Sequence, residues 1–319
     1  MIIGVTGGTG FVGSHLVEAH VSCGDEVRIL TRDGNKQIPP GAHRVIGDLK
    51  GGAIPDDFLG GGVDVIYHCA AEVREESEMW AVNFVGTQAL LEKSKGRFGR
   101  WVQLSSVGVY GSPGLATEVR EDSPLLPRNA YELSKAQADL MLKEAADRDG
   151  FQLSILRPSI VFGTRMRNKS LEQLGKFIKK GFFVFIGPQG ASANYVPIGS
   201  VIDALKRCAS NPLANGQIYN LSHWTTIENM VHTIARAQGT SLTTLRLPKS
   251  AARILAGVSS CIPGFPLTAS RVDALSSRLR FPSSKIESQL GFRHERPLEE
   301  SFENYFNGLL LGRGEGLND

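Results

Sequence analysis

The chain predicts an α/β fold, a doubly wound parallel sheet with a smaller, mostly C-terminal lobe. Three observations predict it. A glycine-rich turn follows the first apolar strand and leads into a helix. Apolar strands and amphipathic helices then alternate to about residue 166, a rhythm that builds a parallel sheet with helices on both faces. After about residue 165 that rhythm is interrupted.

Met1 to Val5 reads as a buried strand, Thr6 to Gly13 as the turn, and Ser14 as the start of the first helix. Such a strand–turn–helix binds a dinucleotide. Gly7 permits the tight turn, Gly10 lets the backbone approach a pyrophosphate, and Gly13 lets helix and strand pack closely. The N–H groups at the helix start face the phosphates. The strand before the turn and the helix after it make the domain Rossmann-type, although the spacing Gly-x-x-Gly-x-x-Gly is one residue longer than the commoner fingerprint. Gly24 ends the first helix. Glu26–Thr31, Arg44–Ile46 and Val63–Tyr67 read as the next strands. A helix over about 79–95 shows apolar spacing at Val82, Val85, Ala89 and Leu90. Trp101–Leu104 is the fifth strand, about 129–148 a helix, and Phe151–Leu156 the sixth strand, left at Arg157-Pro158.

Lys176 to Phe183 is a basic-aromatic stretch that reads as a helix followed by a strand, not as a nucleic-acid patch. Ile218–Leu221 reads as a strand returning to the main sheet, and beyond 225 short helices and loops dominate. The expected division is residues 1–166 with about 192–224 for the nucleotide-binding domain, about 167–191 with 225–312 for the smaller lobe, and 313–319 as a tail.

Composition narrows the classes. Charged residues are 21% and hydrophobic residues 41% of 319, ordinary for a globular protein, and a net charge of +3 is too small to argue for nucleic acid. No stretch approaches the roughly 18 apolar residues of a membrane span, and the N-terminus carries no signal core, so no membrane partner and a cytoplasmic location are expected. Cys23, Cys69, Cys208 and Cys261 are scattered without a CxxC pair. They are expected to be free thiols, and no metal site is expected.

Chemistry enters with Tyr131 and Lys135, at i and i+4 on one helical face. A phenol titrates near pH 10 and is a poor acid or base at neutrality, but a fixed positive charge favours the phenolate and lowers that value. Ser105 and Ser106 close the strand at 101–104, where a hydroxyl can hold a reacting carbonyl or alcohol against the phenol. The trio suits proton transfer coupled to hydride transfer.

Here the chain resembles the extended short-chain dehydrogenase/reductases, the NAD(P)-dependent epimerase/dehydratase family. The resemblance rests on seven blocks in family order: residues 6–13, 47–49, 67–71, 83–87, 105–111, 131–135 and 156–163. It implies that Tyr131 is the general acid/base, that Lys135 hydrogen-bonds the nicotinamide ribose, and that the smaller lobe binds substrate. Ser106, four residues before Tyr110, is then the substrate-orienting hydroxyl and Ser105 is structural. It further implies cofactor contacts from Gly7, Gly10, Phe11, Val12, Gly13, Asp48 (towards the adenine), Leu49, Ala70, Ala71, Pro158 and Ser159, and from Tyr131 and Lys135 themselves. Asn83 joins them, steadying the active-site backbone; its plainer reading is a helix N-cap. Where NAD-preferring relatives carry an acid, this chain has Thr31, followed by Arg32 and Asp33. Arg32 suits a 2′-phosphate and favours NADP over NAD, whereas Asp33 could reach the ribose. The helices at 79–95 and 129–148 are expected to pair with their copies in a homodimer.

The expected function is an NAD(P)-dependent oxidoreductase or epimerase acting on a small molecule, a nucleotide sugar (C4 epimerase or 4-keto reductase). One departure stands against the sugar: the block that usually begins with arginine reads Ala193-Asn194-Tyr195-Val196-Pro197-Ile198. Arg271, Arg278 or Arg280 would have to supply the charge on the phosphates. The alternative is a reductase or dehydrogenase of a hydrophobic alcohol or ketone, since residues 247–256 resemble hydroxysteroid- and dihydroflavonol-type members. A non-catalytic NAD(P) sensor is a third class, but it has no need of Ser106, Tyr131 and Lys135 together.

Overall fold

A computed structural model describes residues 1–112, 117–166, 168–242, 245–259 and 268–311. Cys261 and the tail at 313–319 lie outside the described residues. The strands are β1 (Ile2–Thr6), β2 (Glu26–Thr31), β3 (Ala42–Ile46), β4 (Val63–His68), β5 (Phe98–Leu104), β6 (Gln152–Pro158), β7 (Ile160–Phe162), β8 (Phe185–Ile186), β9 (Ser192–Pro197), β10 (Gln217–Leu221), β11 (His223–Thr226) and β12 (Arg246–Leu247). The helices are α1 (Phe11–Val21), α2 (Asp56–Leu59), α3 (Glu76–Trp80), α4 (Gly86–Ser94), α5 (Ala130–Asp149), α6 (Ser170–Lys179), α7 (Ile198–Ser210), α8 (Ile227–Ala237), α9 (Lys249–Ser259), α10 (Ala269–Ser276), α11 (Ser284–Leu290) and α12 (Leu298–Leu311).

Seven strands form one sheet in the spatial order β10-β6-β5-β4-β1-β2-β3, every neighbouring pair parallel. Its strands read as apolar runs because helices cover both faces: Ile3, Val5, Val27, Ile29, Ile66, Tyr67 and Val102 are fully buried. The chain winds outwards from β1 to β3 on one side and from β4 to β10 on the other. This opens a crevice at the C-terminal ends of β1 and β4, where ligands of such sheets bind. The buried His68 ring clamps these two strands, reaching Thr6 Oγ1 at 2.6 Å and Thr87 Oγ1 at 2.8 Å. Burial pushes its pKa down to about 3, so it serves as a neutral hydrogen-bonding group.

Two elements differ from the sequence expectation. The first helix begins at Phe11, not Ser14, with extended Gly10 as its N-cap. Gly13 therefore lies inside the first turns, and the helix presses onto the loop so closely that a Cβ at Gly13 would meet Gly7 O at 2.2 Å. The helix expected at 79–95 starts at Glu76 and is widened between α3 and α4 by a π segment, Ala81–Val85. Such widenings recur at functional sites.

The smaller lobe has its own core. β7, β9 and β11 form a three-stranded sheet, β8 and β12 a two-stranded one. Phe162, Ile178, Phe183, Met230, Ile234 and Phe302 pack between α6, α8 and α12. In the basic-aromatic stretch α6 ends at Lys179 and the strand expected after it forms only at Phe185–Ile186; Ile178 and Phe183 are buried, while Lys176, Lys179 and Lys180 face solvent. Of residues 192–224, β9 joins the smaller sheet, while α7 and β10 pack with the large one. Among the described residues no helix is long and apolar enough to cross a membrane, and no group of three or more His, Cys, Asp or Glu could hold a metal ion.

Candidate active site

A cleft of about 1450 Å³ runs along the C-terminal ends of β1, β2, β4, β5 and β6. Gly7, Gly10, Phe11, Val12, Gly13, Thr31, Arg32, Asp48, Leu49, Ala70, Ala71, Ser106, Tyr131, Lys135, Pro158 and Ser159 all line it. A recess of about 610 Å³ adjoins it and shares Arg32, Gly47 and Asp48.

The glycine end fits a dinucleotide. The φ of Gly7 is +69°, and a Cβ there would lie 2.7 Å from Ala70 N. No side chain caps α1 at Gly10, so its first N–H groups are left for an anion. Ser159 Oγ is buried on the cleft wall with no hydrogen-bond partner among the described residues, and such an orphan is a polar contact in waiting. At the β2 end the Thr31 hydroxyl is engaged with its own turn through Asp33 N at 3.3 Å, and Asn35 N donates to Asp33 Oδ1 at 2.9 Å. Arg32 is exposed and makes no ion pair among the described residues.

Tyr131 sits in the first turn of α5. Asn129 caps that helix by accepting Glu132 N at 2.9 Å, and Glu132 Oε2 accepts Arg128 N at 2.8 Å, which sets the direction in which the phenol leaves the helix. Ser106 caps the short turn Val107–Tyr110, its Oγ accepting Gly108 N at 3.0 Å, and it interacts directly with the Tyr131 phenol. Lys135, buried, donates to Leu104 O at 2.6 Å at the end of β5. The structure thus brings Ser106, Tyr131 and Lys135 together at one point of the cleft.

The charge relation differs from the expectation. Lys135 was expected to lower the Tyr131 pKa; instead burial and the Asp139 carboxylate push the phenol up to about 12, with Ser106 pulling the other way. The reason is geometric: Lys135 Nζ is held by Leu104 O, and burial lowers its own pKa.

The plainer reading of Asn83 as a helix N-cap does not hold. The residue caps no helix and does not line the cleft; it lies within the π segment, fully buried. Its Oδ1 accepts Glu72 N at 2.7 Å, and its Nδ2 donates to Glu72 O at 3.0 Å and Ser134 Oγ at 3.0 Å. Ser134 in turn donates to Tyr131 O at 2.9 Å. Asn83 therefore ties the loop after β4 to α5 from behind the wall. Glu72 itself faces the cleft, its carboxylate held below the usual range by the backbone amides of Arg74, Glu75 and Val73.

Sequence reasoning missed a buried polar network beneath the trio. Asp139 Oδ2 accepts Ser105 Oγ at 2.7 Å and Arg157 Nε at 3.0 Å. Arg157 Nη1 donates to Tyr110 OH at 2.9 Å, and Tyr110 donates to Asn220 Oδ1 at 2.9 Å. Ser105, which also lines the cleft, is thus tied to this network. A signal existed, since Asp139 stands four residues after Lys135 on the same helical face. Lys36 and Arg74 near Arg32, and Met79, Val82, Met166, Asn168 and Lys169 elsewhere on the wall, carried none.

Comparison with known proteins follows this geometry. A family model described as the NAD dependent epimerase/dehydratase family matches residues 3–222. A UDP-glucose 4-epimerase of Vibrio cholerae is 25% identical over 96% of this chain and 94% of its own. A 4-hydroxy-2-methyl-3-oxo-4-farnesyl-3,4-dihydroquinoline-1-oxide ketoreductase of Stigmatella aurantiaca is 26% identical over 79% of this chain and 78% of its own. Among solved structures, a UDP-glucose 4-epimerase of Thermotoga maritima with UDP-glucose superposes with a TM-score of 0.77 over 98% of this chain and all of that one. At 19% identity that likeness speaks for the fold alone.

Proposed function

Because the chain belongs to the NAD-dependent epimerase/dehydratase family, and so is an enzyme, we propose that it acts on a nucleotide sugar by reversible hydride transfer, as a C4 epimerase or 4-keto reductase. The convergence of Ser106, Tyr131 and Lys135 beside a glycine cradle carries this reading. The nicotinamide, when bound, accepts and returns a hydride. Tyr131 takes the proton of the substrate hydroxyl as the carbonyl forms and gives it back on reduction, and Ser106 holds the reacting oxygen. Lys135 supplies positive charge at the end of β5. A cytoplasmic location belongs to the same reading.

The second reading, reduction of a hydrophobic ketone, is favoured by one observation. Ala193 lies buried in the apolar core of the smaller lobe, and none of the three arginines that might replace the missing charge lines the cleft. Arg278 donates to Gln189 O at 2.6 Å, and Arg280 stacks 3.8 Å over Trp224. Lys169 on the cleft wall is paired with Glu172 at 3.2 Å. The test is to present purified protein with UDP- and dTDP-sugars and with hydrophobic ketones, reading NAD(P)H absorbance and product stereochemistry. Turnover of ketones with no change in any sugar overturns the first reading.

NADP is the preferred cofactor in this proposal, because no acid stands at Thr31 and Arg32 beside it is exposed on the cleft. A charge-assisted arginine–phosphate contact is worth about 1.5–3 kcal/mol. Exposure places Arg32 at the lower end, roughly a tenfold preference. Arg32→Ala is expected to weaken NADP binding by about that factor and leave NAD unchanged. Equal losses of both cofactors in titration would assign the ribose to Asp33 and the enzyme to NAD.

A homodimer is proposed from the outer face of two neighbouring helical runs. Trp80 and Val85 on one, and Leu133 and Leu140 on the other, are large, apolar and exposed. The Trp80 and Phe84 rings lie 4.6 Å apart, tilted by 32°. Sedimentation at micromolar concentration is expected to show a dimer that Trp80→Glu with Leu140→Glu converts to monomer; a wild-type monomer rules it out.

A further inference from the structure

We propose that Glu18 and Arg165 form a latch in which Arg165 is a positioning residue, tying the turn that leads into one wall of the cleft to the helix that carries the glycine cradle. The inference rests on the active-site reading above only in taking the cleft as the place of reaction.

Arg165 is the only non-glycine residue with positive φ among the described residues, at +65°. It sits third in the four-residue turn Gly163–Met166, closed by Met166 N to Gly163 O at 3.3 Å. Turns that need positive φ at this place take glycine or asparagine, because a Cβ is strained there. An arginine there points to a job for its side chain. Its two Nη groups reach the two oxygens of Glu18, at 2.6 and 2.7 Å, across 147 residues of sequence. This is the bidentate geometry of an arginine–carboxylate fork, and the guanidinium holds the Glu18 carboxyl below its usual range.

Both partners are about half exposed. An exposed ion pair contributes too little to offset a left-handed arginine, so stability does not explain the pair. Geometry does. Glu18 stands on a fixed post: Leu16 and Val17 beside it are fully buried, and Gly13 one turn earlier is pressed onto Gly7. The turn itself leaves β7, and Met166 at its end, with Asn168 and Lys169 after it, lines the cleft. Besides the pair, the turn is held at its two ends, by Gly163 against Ile198 and by Met166 in the core of the smaller lobe, while Arg165 between them is tied only through Glu18. With the pair, these three side chains are set relative to α1, whose N-terminus faces the phosphate end of the same cleft.

The test compares wild type with Glu18→Gln, Arg165→Gly and the exchange Glu18→Arg with Arg165→Glu. Amide hydrogen exchange is followed in peptides covering the 163–166 turn and, as control, in peptides covering α1. Loss of the pair is expected to speed exchange in the turn by about tenfold while α1 is unchanged, with the exchanged pair restoring protection. With whichever sugar or ketone is turned over, KM is expected to rise several-fold while kcat and NADP affinity stay within twofold. Unchanged exchange in both single variants overturns the latch, as does an equal loss of cofactor affinity. The exchange readout needs no substrate, so failure of the latch and failure of the nucleotide-sugar reading are told apart.

Discussion

Tyr131→Phe is expected to lower turnover by about 100-fold or more while leaving the fold and cofactor affinity intact. The ring keeps its place in the first turn of α5, whose cap uses Asn129 and Glu132 rather than the phenol. Only the proton donor is lost. With the phenol pushed up to about 12, Tyr131 is protonated throughout the physiological range. In the proposed reaction it is then a ready acid for reduction and has to lose its proton before acting as base in oxidation. The wild-type oxidation rate is expected to climb with pH through neutrality while the reduction rate stays flat, and Tyr131→Phe should abolish the climb. Near-normal turnover in the variant would remove Tyr131 from the chemistry. An equal pH dependence in both directions would point to another group.

The second large effect is expected at Asp139 and Arg157. The two form an ion pair with side chains only 1% and 2% exposed, which also holds Ser105 and Tyr110. Removing one partner leaves a buried charge without compensation, at a cost of about 3–5 kcal/mol. Asp139→Leu and Arg157→Leu should each lower the urea midpoint strongly. The double variant should recover much of the loss, since an apolar pair leaves no stranded charge. Asp139 also raises both the Tyr131 and Lys135 pKa values. Any folded Asp139→Asn protein should therefore show its oxidation profile displaced towards lower pH. Single variants as stable as wild type would mean the pair is solvated in solution.

The two predictions differ in how visible their residues were. Tyr131 and Lys135 announce themselves by spacing, because i and i+4 share a helical face whatever the helix packs against. Ser106 was distinguishable from Ser105 only through family spacing. The structure separates them by partner, Ser105 towards Asp139 and Ser106 towards Tyr131. Asn83 was legible as an important position but not in its contacts, since the π segment that turns it inwards leaves no periodic trace.

What the sequence determined by itself is what neighbours along the chain decide. The glycine turn, the order and approximate bounds of the β1–β6 strands, the shared face of Tyr131 and Lys135 on α5, and the parallel sheet follow from local geometry and apolar period. Tertiary structure alone decided which distant side chains meet. Asp139 reaches Ser105 over 34 residues, Asn83 reaches Glu72 over 11, and Arg165 reaches Glu18 over 147. It also decided that Lys135 Nζ goes to a carbonyl at the end of β5, and that burial rather than this ammonium sets the Tyr131 phenol. The reason is that a helix or turn is specified by hydrogen bonds within a few residues. A buried charge, by contrast, takes its value from everything packed around it, and only the closed sheet assembles those groups.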